Sequence, residues 1–384
     1  MSFFIFLYKK MKDQTVQIQL NDVSTFPKNI EQNQNSKAEN NQKCSKLTKI
    51  LIVLGILVVL IAFILILLFV IIKINDDDED DNRIDNRIPI IIDVDEGGDD
   101  MIAYIVANNS KKYNILGITT VSSYYYVEEV GKIWLRFLEY MNFDNKVYLG
   151  EDHPLVRKTN KLPFVHYYGF EMPNTTKKYE TKGGVDFMYE TIKNYKKKIT
   201  IFSLGPLTNL GKLFQRDKTI INNIKEIIIM GGAKYGGNVQ ENLKAEYNIY
   251  NDAEAAEIVF NCGIQIKIIG EETKMDFDDD FYQKLLDINT RSSIFTYYAV
   301  KGTFDTWNNN WIYDPITVLY HLDNDIIVLK DYKTKVDTTN PDVDGTNYGT
   351  IYYFDPKGKP NIKYTEELNL DECYDDLIYY LKMY

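Results

Sequence analysis

Histidine and cysteine are nearly missing from this 384-residue chain, which has three of each. Cys44, Cys262 and Cys373 make no CxxC pair, and His153, His166 and His321 have no ligand-like spacing, which argues against a zinc site and against a disulfide scaffold. Positive charge is in deficit, with 44 Lys and Arg against 55 Asp and Glu, a net of −11. No basic stripe interleaved with aromatics occurs after residue 88, so no nucleic-acid partner is expected. Six negative charges form one run at 76–81, leaving −5 for everything else. The rest of the chain is therefore not strongly acidic.

Charge is wholly absent from residues 50–72, ILIVLGILVVLIAFILILLFVII. As a helix this stretch reaches roughly 35 Å, against about 30 Å for a bilayer's hydrocarbon core. A cleaved signal peptide has a shorter apolar region near residue 1 and ends in small residues, whereas Lys73, Ile74 and Asn75 follow here. The stretch reads as a single-pass transmembrane helix. Residues 1–49 hold eight Lys and no Arg, are rich in Asn and Gln and lack periodicity, the composition of a disordered polar tail. Residues 73–87 read as an acidic linker. Of the fifteen residues on each side of the span, four are Lys or Arg before it and three after it. That bias points to a cytosolic N-terminus and a lumenal or extracellular C-terminal domain. Asn108 and Asn174 head sequons that would be usable on that side.

From residue 88 to residue 384, short apolar runs alternate with amphipathic stretches. RIPIIID is followed by DDMIAYIVANN, NILGITTV by EEVGKIWLRFLEYM, KKITIFSL by GPLTNLGKLF, and DAEAAEIVFN leads into IQIKIIG. Continuous apolar strands separated by helices predict an α/β domain with a mostly parallel, Rossmann-like central sheet covered by helices on both faces. In such sheets ligands bind at the carboxyl ends of the strands. The acidic turn after the first strand, the GP turn after Leu204 and the GG turn after Met230 are therefore expected to converge.

Residues 91–101 read IIDVDEGGDDM, an apolar strand running into five acids and two glycines. Alternation places Asp93 and Asp95 on one side of the strand end, and Asp99 and Asp100 fall in the first turn of the next helix. Clustered carboxylates need something positive among them, and hard oxygen donors suit Ca²⁺ or Mg²⁺. The blander alternative is a glycine turn with acidic helix caps. The motif alone leaves two chemistries open: attack by a metal-activated water with an Asp as base, or phosphoryl transfer through an aspartyl nucleophile. Glu96 fits the second poorly.

With the later motifs included, the chain after residue 88 resembles the inosine-uridine preferring nucleoside hydrolases. DVDEGGDDM keeps four aspartates and the first glycine of that family's DxDPGxDDA signature, with Glu96 for Pro and Met101 for Ala. ITTV at 118–121, LGPLTNL at 204–210, IIMGG at 228–232, Asn238, AEYNIYNDAEAA at 245–256 and YDP at 313–315 continue it in order. The resemblance implies Ca²⁺ held by Asp95, Asp100, Asp314 and the Leu204 carbonyl, with Asp95 also acting as the base. It implies ribose binding by Asp99, Asn238, Glu246 and Asn248, and an orienting role for Asp93. Spacing alone reads Glu246 and Asn248 instead as a polar loop before a helix capped by Asn251 or Asp252.

The base-binding half departs from the family. Tyr313 stands where His is common and Tyr124 where Asn is usual, while HYYGFEM at 166–172 matches only loosely. Both tyrosines are candidate base contacts. The expected activity is hydrolysis of ribonucleosides to ribose and a free base, suited to nucleoside salvage. The rival is a catalytically weakened relative that binds calcium and a sugar at the membrane surface. The expected partners are a small ribonucleoside, the membrane through residues 50–72, and further copies of the chain.

Overall fold

The computed structural model describes residues 49–69, 85–157, 172–239, 242–307, 310–339 and 347–384. Most of the tail and of the linker, and residues 166–171 of the HYYGFEM stretch, lie outside the described residues. The chain divides into two units, Met1–Ile84 and Asp85–Tyr384. In the first, helix α1 spans Lys49–Phe69, long and apolar enough to cross a membrane by length and composition. Its side chains are exposed throughout. Residues 70–72 of the expected span lie outside the described residues.

The second unit is built on a nine-stranded sheet in the order β10-β9-β11-β6-β5-β4-β1-β2-β3. The strands are β1 Ile88–Val94, β2 Tyr113–Thr120, β3 Val147–Leu149, β4 Ile199–Ser203, β5 Ile224–Met230, β6 Ile266–Ile269, β9 Ile327–Val336, β10 Ile351–Phe354 and β11 Ile362–Leu368. Every pairing from β3 across to β11 is parallel, and β9 runs antiparallel to both β11 and β10. A separate small pair joins β7 Met275–Asp276 to β8 Trp311–Ile312.

Strand β1 shows why the domain takes two layers of helices. Ile90 and Ile92 enter one hydrophobic core and Ile91 the other, all fully buried, so period-two alternation feeds both faces. Burying each such side chain is worth about 1.5–3 kcal/mol. On the first face lie α2 Gly98–Ser110, α3 Val127–Met141, α9 Arg291–Trp307, α10 Pro315–Leu322 and α11 Leu370–Leu381. On the second lie α4 Gly184–Asn194, α5 Thr208–Arg216 and α7 Ala253–Phe260. Among the described residues there are two further helices, α6 Tyr247–Asn251 and α8 Asp279–Ile288.

The chain order sets the site. After β1 the strands are laid down outward through β2 and β3, then resume on the other side with β4, β5 and β6. The strand order therefore reverses between the parallel neighbours β1 and β4, and the carboxyl ends of those two strands flank the crevice where open α/β sheets place ligands. Asp95 follows β1 there and Leu204 follows β4.

Candidate active site

Strand β1 delivers two aspartates. Asp93 is fully buried and its Oδ1 accepts from Thr119 Oγ1 at 2.5 Å and Asn209 Nδ2 at 2.7 Å. Asp95, just past the strand, is fixed through its backbone: its N–H donates to Asp100 Oδ1 at 3.1 Å and its carbonyl accepts from Trp134 Nε1 at 2.6 Å. Its Oδ1 accepts the Gly97 N–H at 2.9 Å, which folds the side chain over the turn.

The turn works because Gly97 has no side chain. A Cβ there would run into Asp100 Oδ2 and lie 2.7 Å from Asp99 Oδ1 and 3.3 Å from Asp95 Oδ1. Three carboxylates thus close over one glycine at the N-terminus of α2, where the helix dipole favours negative charge. Asp314 joins them from far along the chain. It precedes α10, which has Pro315 at its first position, and α10 packs on α2. Asp99, Asp100 and Asp314 each present an oxygen within 4.8 Å of the others.

Acidic helix capping accounts for only part of this. Burial raises the pKa of Asp100 far above the carboxylate range, and Asp95, Asp314 and Asp99 push it the same way. Burial and then Asp99 and Asp95 do the same to Asp314, and burial with Asp95 brings Asp99 to about 6. A buried set of hard oxygen donors that repel one another is the chemistry of a Ca²⁺-type site, and the residues present fit such an ion. The cluster of three includes Asp99, expected on the sugar. Asp95 adjoins it through the Gly97 turn.

The other expected positions are placed as follows. The Leu204 carbonyl accepts from Asn248 Nδ2 at 2.7 Å. Glu246 is buried and caps α6, taking the N–H groups of Asn248 at 2.7 Å and Ile249 at 3.2 Å, and that of Gly232 at 2.9 Å. Burial raises it to about 7. The polar-loop reading is thus right in part, since Asp252 caps α7 through the Ala255 N–H. Asn238 is exposed, in the loop after β5. Tyr313 donates its backbone N–H to Asp99 Oδ2 at 3.3 Å, and burial holds its phenol protonated well beyond the ordinary range. Tyr124 stacks on Tyr247, ring centroids 4.3 Å apart.

Some residues that shape the site carried no separate sequence signal. Asn209, inside the LGPLTNL motif, joins Asp93 to the Thr120 carbonyl and to the Glu151 N–H. Glu96, in the position of the family's Pro, is buried and accepts the Tyr124 N–H at 2.7 Å. Glu271 was one of two adjacent acids with no motif around it. Cys262 and Cys373 are free thiols.

Comparison with known proteins agrees with this geometry. Residues 90–375 match the family model of the inosine-uridine preferring nucleoside hydrolases. The chain is 35% identical to Uridine nucleosidase 1 of Arabidopsis thaliana over 50% of this chain and 59% of that protein. It is 30% identical to the pyrimidine-specific ribonucleoside hydrolase RihA of Salmonella paratyphi B over 71% of this chain and 92% of that one. Among solved structures, the plant nucleoside hydrolase PpNRh1 superposes with a TM-score of 0.67 at 26% identity, covering 77% of this chain and 99% of that one. The purine-preferring ribonucleoside hydrolase of Gardnerella vaginalis shares the fold, with a TM-score of 0.68 at 23% identity, covering 77% of this chain and 98% of that one. With the acidic strand end, the Leu204 turn and Asp314 gathered at one sheet reversal, the chain belongs to the inosine-uridine preferring nucleoside hydrolase family, hydrolases that act on N-glycosyl bonds.

Proposed function

We propose that this protein is a membrane-anchored, Ca²⁺-dependent hydrolase that splits the N-glycosidic bond of ribonucleosides to give ribose and a free base. The observation that carries the reading is the closure of Asp95, Asp99 and Asp100 over Gly97, with Asp314 brought to them by α10. Asp95, Asp100, Asp314 and the Leu204 carbonyl would hold the ion, with Asp99 at its edge. When bound, such an ion lowers the pKa of a coordinated water and supplies positive charge beside the ribose hydroxyls.

The chain's own residues do the rest. Asp95 accepts the proton of the attacking water as the new C–O bond forms at the anomeric carbon. Asp99, Glu246 and Asn248, with Asn238 from the loop after β5, bind the sugar hydroxyls. Their oxygens stabilise positive charge developing on the ribose. Asp93, held by Thr119 and Asn209, fixes the strand end that carries Asp95. Tyr124 and Tyr313 line the base side.

Residues 88–384 form the catalytic domain in this reading, with 1–49 as tail, 50–72 as anchor and 73–87 as linker. The single apolar helix supports the anchor, and the Lys bias and the two sequons support a catalytic domain on the lumenal or outer face; assembly with like subunits belongs to the same proposal. The test is base release from inosine, adenosine, guanosine, uridine and cytidine by wild type and Asp95→Asn. The variant keeps an oxygen donor but cannot take a proton, so release should fall by about 10²–10⁴. Wild type that binds calcium and ribose yet releases no base would instead make this a surface binding protein. The altered Tyr313 and Tyr124 positions favour that second reading.

A further inference from the structure

Among the described residues, the base side of the site shows no evident acid. A departing nucleobase needs a proton on a ring nitrogen, and the tyrosine in the usual place is a poor donor: burial drives the pKa of Tyr313 upward, and the neighbouring carboxylate of Glu271 drives it further. That neighbour sits in the short turn Glu271–Thr273, directly after β6 and next to the GG turn of β5. Its backbone N–H donates to the Gly232 carbonyl at 2.9 Å, which fixes the turn against the end of β5.

Glu271 and Glu272 are adjacent but have different surroundings. Glu272 is held by three donors, the N–H groups of Lys234 at 2.7 Å and Tyr235 at 3.0 Å and the hydroxyl of Tyr364. Gly270 permits this, since a Cβ there would overlap the Tyr364 phenol. Glu272 is thus committed to structure. Glu271 has the Asn238 backbone N–H beside it, and its Oε2 is shielded from solvent with no hydrogen-bond partner among the described residues. The groups facing it are Glu246 from the cap of α6, Tyr313 from the segment before α10, and Glu272 and Lys274 from its own segment. Glu246, Tyr313 and Asn238 are all positions assigned above to the substrate. A carboxyl with one uncommitted, water-shielded oxygen therefore lies beside Glu246, Tyr313 and Asn238.

Building on the hydrolase reading above, we propose that Glu271 is the proton donor to the departing nucleobase. As the C–N bond breaks, its electron pair passes to the base, and the Glu271 carboxyl proton moves to a base nitrogen. The attacking water gives its oxygen to the anomeric carbon and a proton to Asp95. Glu271 ends as a carboxylate and Asp95 as an acid, and exchange with solvent after product release restores both. Two carboxyl groups held in different protonation states on either side of a glycosidic bond is the usual division of labour in glycoside hydrolysis. The environment suits the role, because burial and then the nearby Glu246 and Glu272 push Glu271 up to about 8, so it keeps its proton at neutral pH.

The full-length protein in detergent, as wild type, Glu271→Gln and Glu271→Asp, is assayed on inosine and on 4-nitrophenyl ribofuranoside, whose phenolate leaves without needing a proton. Glu271→Gln should slow inosine by about 10² or more while changing the nitrophenyl riboside by less than about threefold. It should also remove the basic limb of the inosine pH profile, near pH 8 in wild type, and Glu271→Asp should restore part of the rate. Equal losses on both substrates, or no loss on inosine, overturn the assignment, and nitrophenyl turnover reports that the variant is folded. Wild type inert on both substrates sinks the hydrolase reading itself, and this assignment with it.

Discussion

The side-chain amide of Asn248 donates to the carbonyl of Leu204 at 2.7 Å, joining the N-terminus of α6 to the turn after β4. A carbonyl oxygen has two lone pairs, so this bond and an ion can share it. Without an ion, Asn248→Ala leaves the buried carbonyl without its amide donor and should cost about 1–3 kcal/mol. With calcium present the ion still satisfies that oxygen and the cost should shrink. Urea midpoints with calcium and with chelator check this, and equal costs in both conditions would remove Leu204 from the ligand set.

Gly97→Ala probes the carboxylate cluster by volume alone. Gly97 has φ −60 and ψ 142, a conformation open to alanine, so the backbone is not strained. The added methyl must displace Asp100 and Asp99. The expected result is a domain that stays folded, with an unchanged circular dichroism spectrum, and a calcium affinity lowered at least tenfold by calorimetry. Retained affinity would place the ion away from this turn.

Removing the ion should change how stability depends on pH. Asp99 and Asp93 are raised to about 6 and about 7 from 3.8. The folded, ion-free chain therefore holds protons that the unfolded chain has released, and its stability falls as pH rises from about 4 to about 7. Bound calcium is a positive charge beside both groups, favours their ionised forms and should flatten that slope. Asp100→Ala and Asp314→Ala should lose the metal in elemental analysis after dialysis and lose the calcium response together.

At the amino end of β5, away from the acidic cluster, Glu226 lies 2.8 Å from Lys267 Nζ and 3.5 Å from His321 Nε2, and His321 Nδ1 is 2.8 Å from the Tyr113 hydroxyl. Burial raises the Glu226 pKa, but His321 and Lys267 together outweigh burial and hold it at about 2. A depressed carboxylate contributes stability above its unfolded value, near 4.5, and loses it as pH falls toward 2. Glu226→Gln should lower stability by about 3 kcal/mol at pH 7, and the gap from wild type should close on acidification to pH 3 and below. A gap that persists unchanged at pH 2.5 would mean the loss is one of packing.

Much of the domain was legible because its central strands are continuous apolar runs. IPIIIDV and IKEIIIM read as strands buried on both faces, and the first helices after the acidic turn and the GP turn declared themselves by composition. What escaped notice was short. The five-residue α6 is too brief to show a helical period, so Glu246 looked like a loop residue when it is that helix's cap. The two-residue strands β7 and β8 leave no pattern either. The expected ligands were readable from motif order, but the inclusion of Asp99 in the tightest carboxylate group depends on how far Gly97 lets the turn close, which no spacing reveals. Glu271 was invisible for a related reason: two adjacent glutamates look alike until Tyr364 occupies the space above Gly270 and claims one of them.

The acidic cluster also has a timetable. Asp95, Asp99 and Asp100 are translated early, whereas Asp314 lies 214 residues beyond Asp100 and reaches them only once α10 has packed against α2. A ribosome at β6 has made three of the four acids and none of α10. Until then those acids can stay hydrated and ionised at little cost, and their mutual repulsion is imposed only by the final packing of α10. Cluster assembly therefore waits for α10, and a chain ending before residue 314 would have the motif without the site.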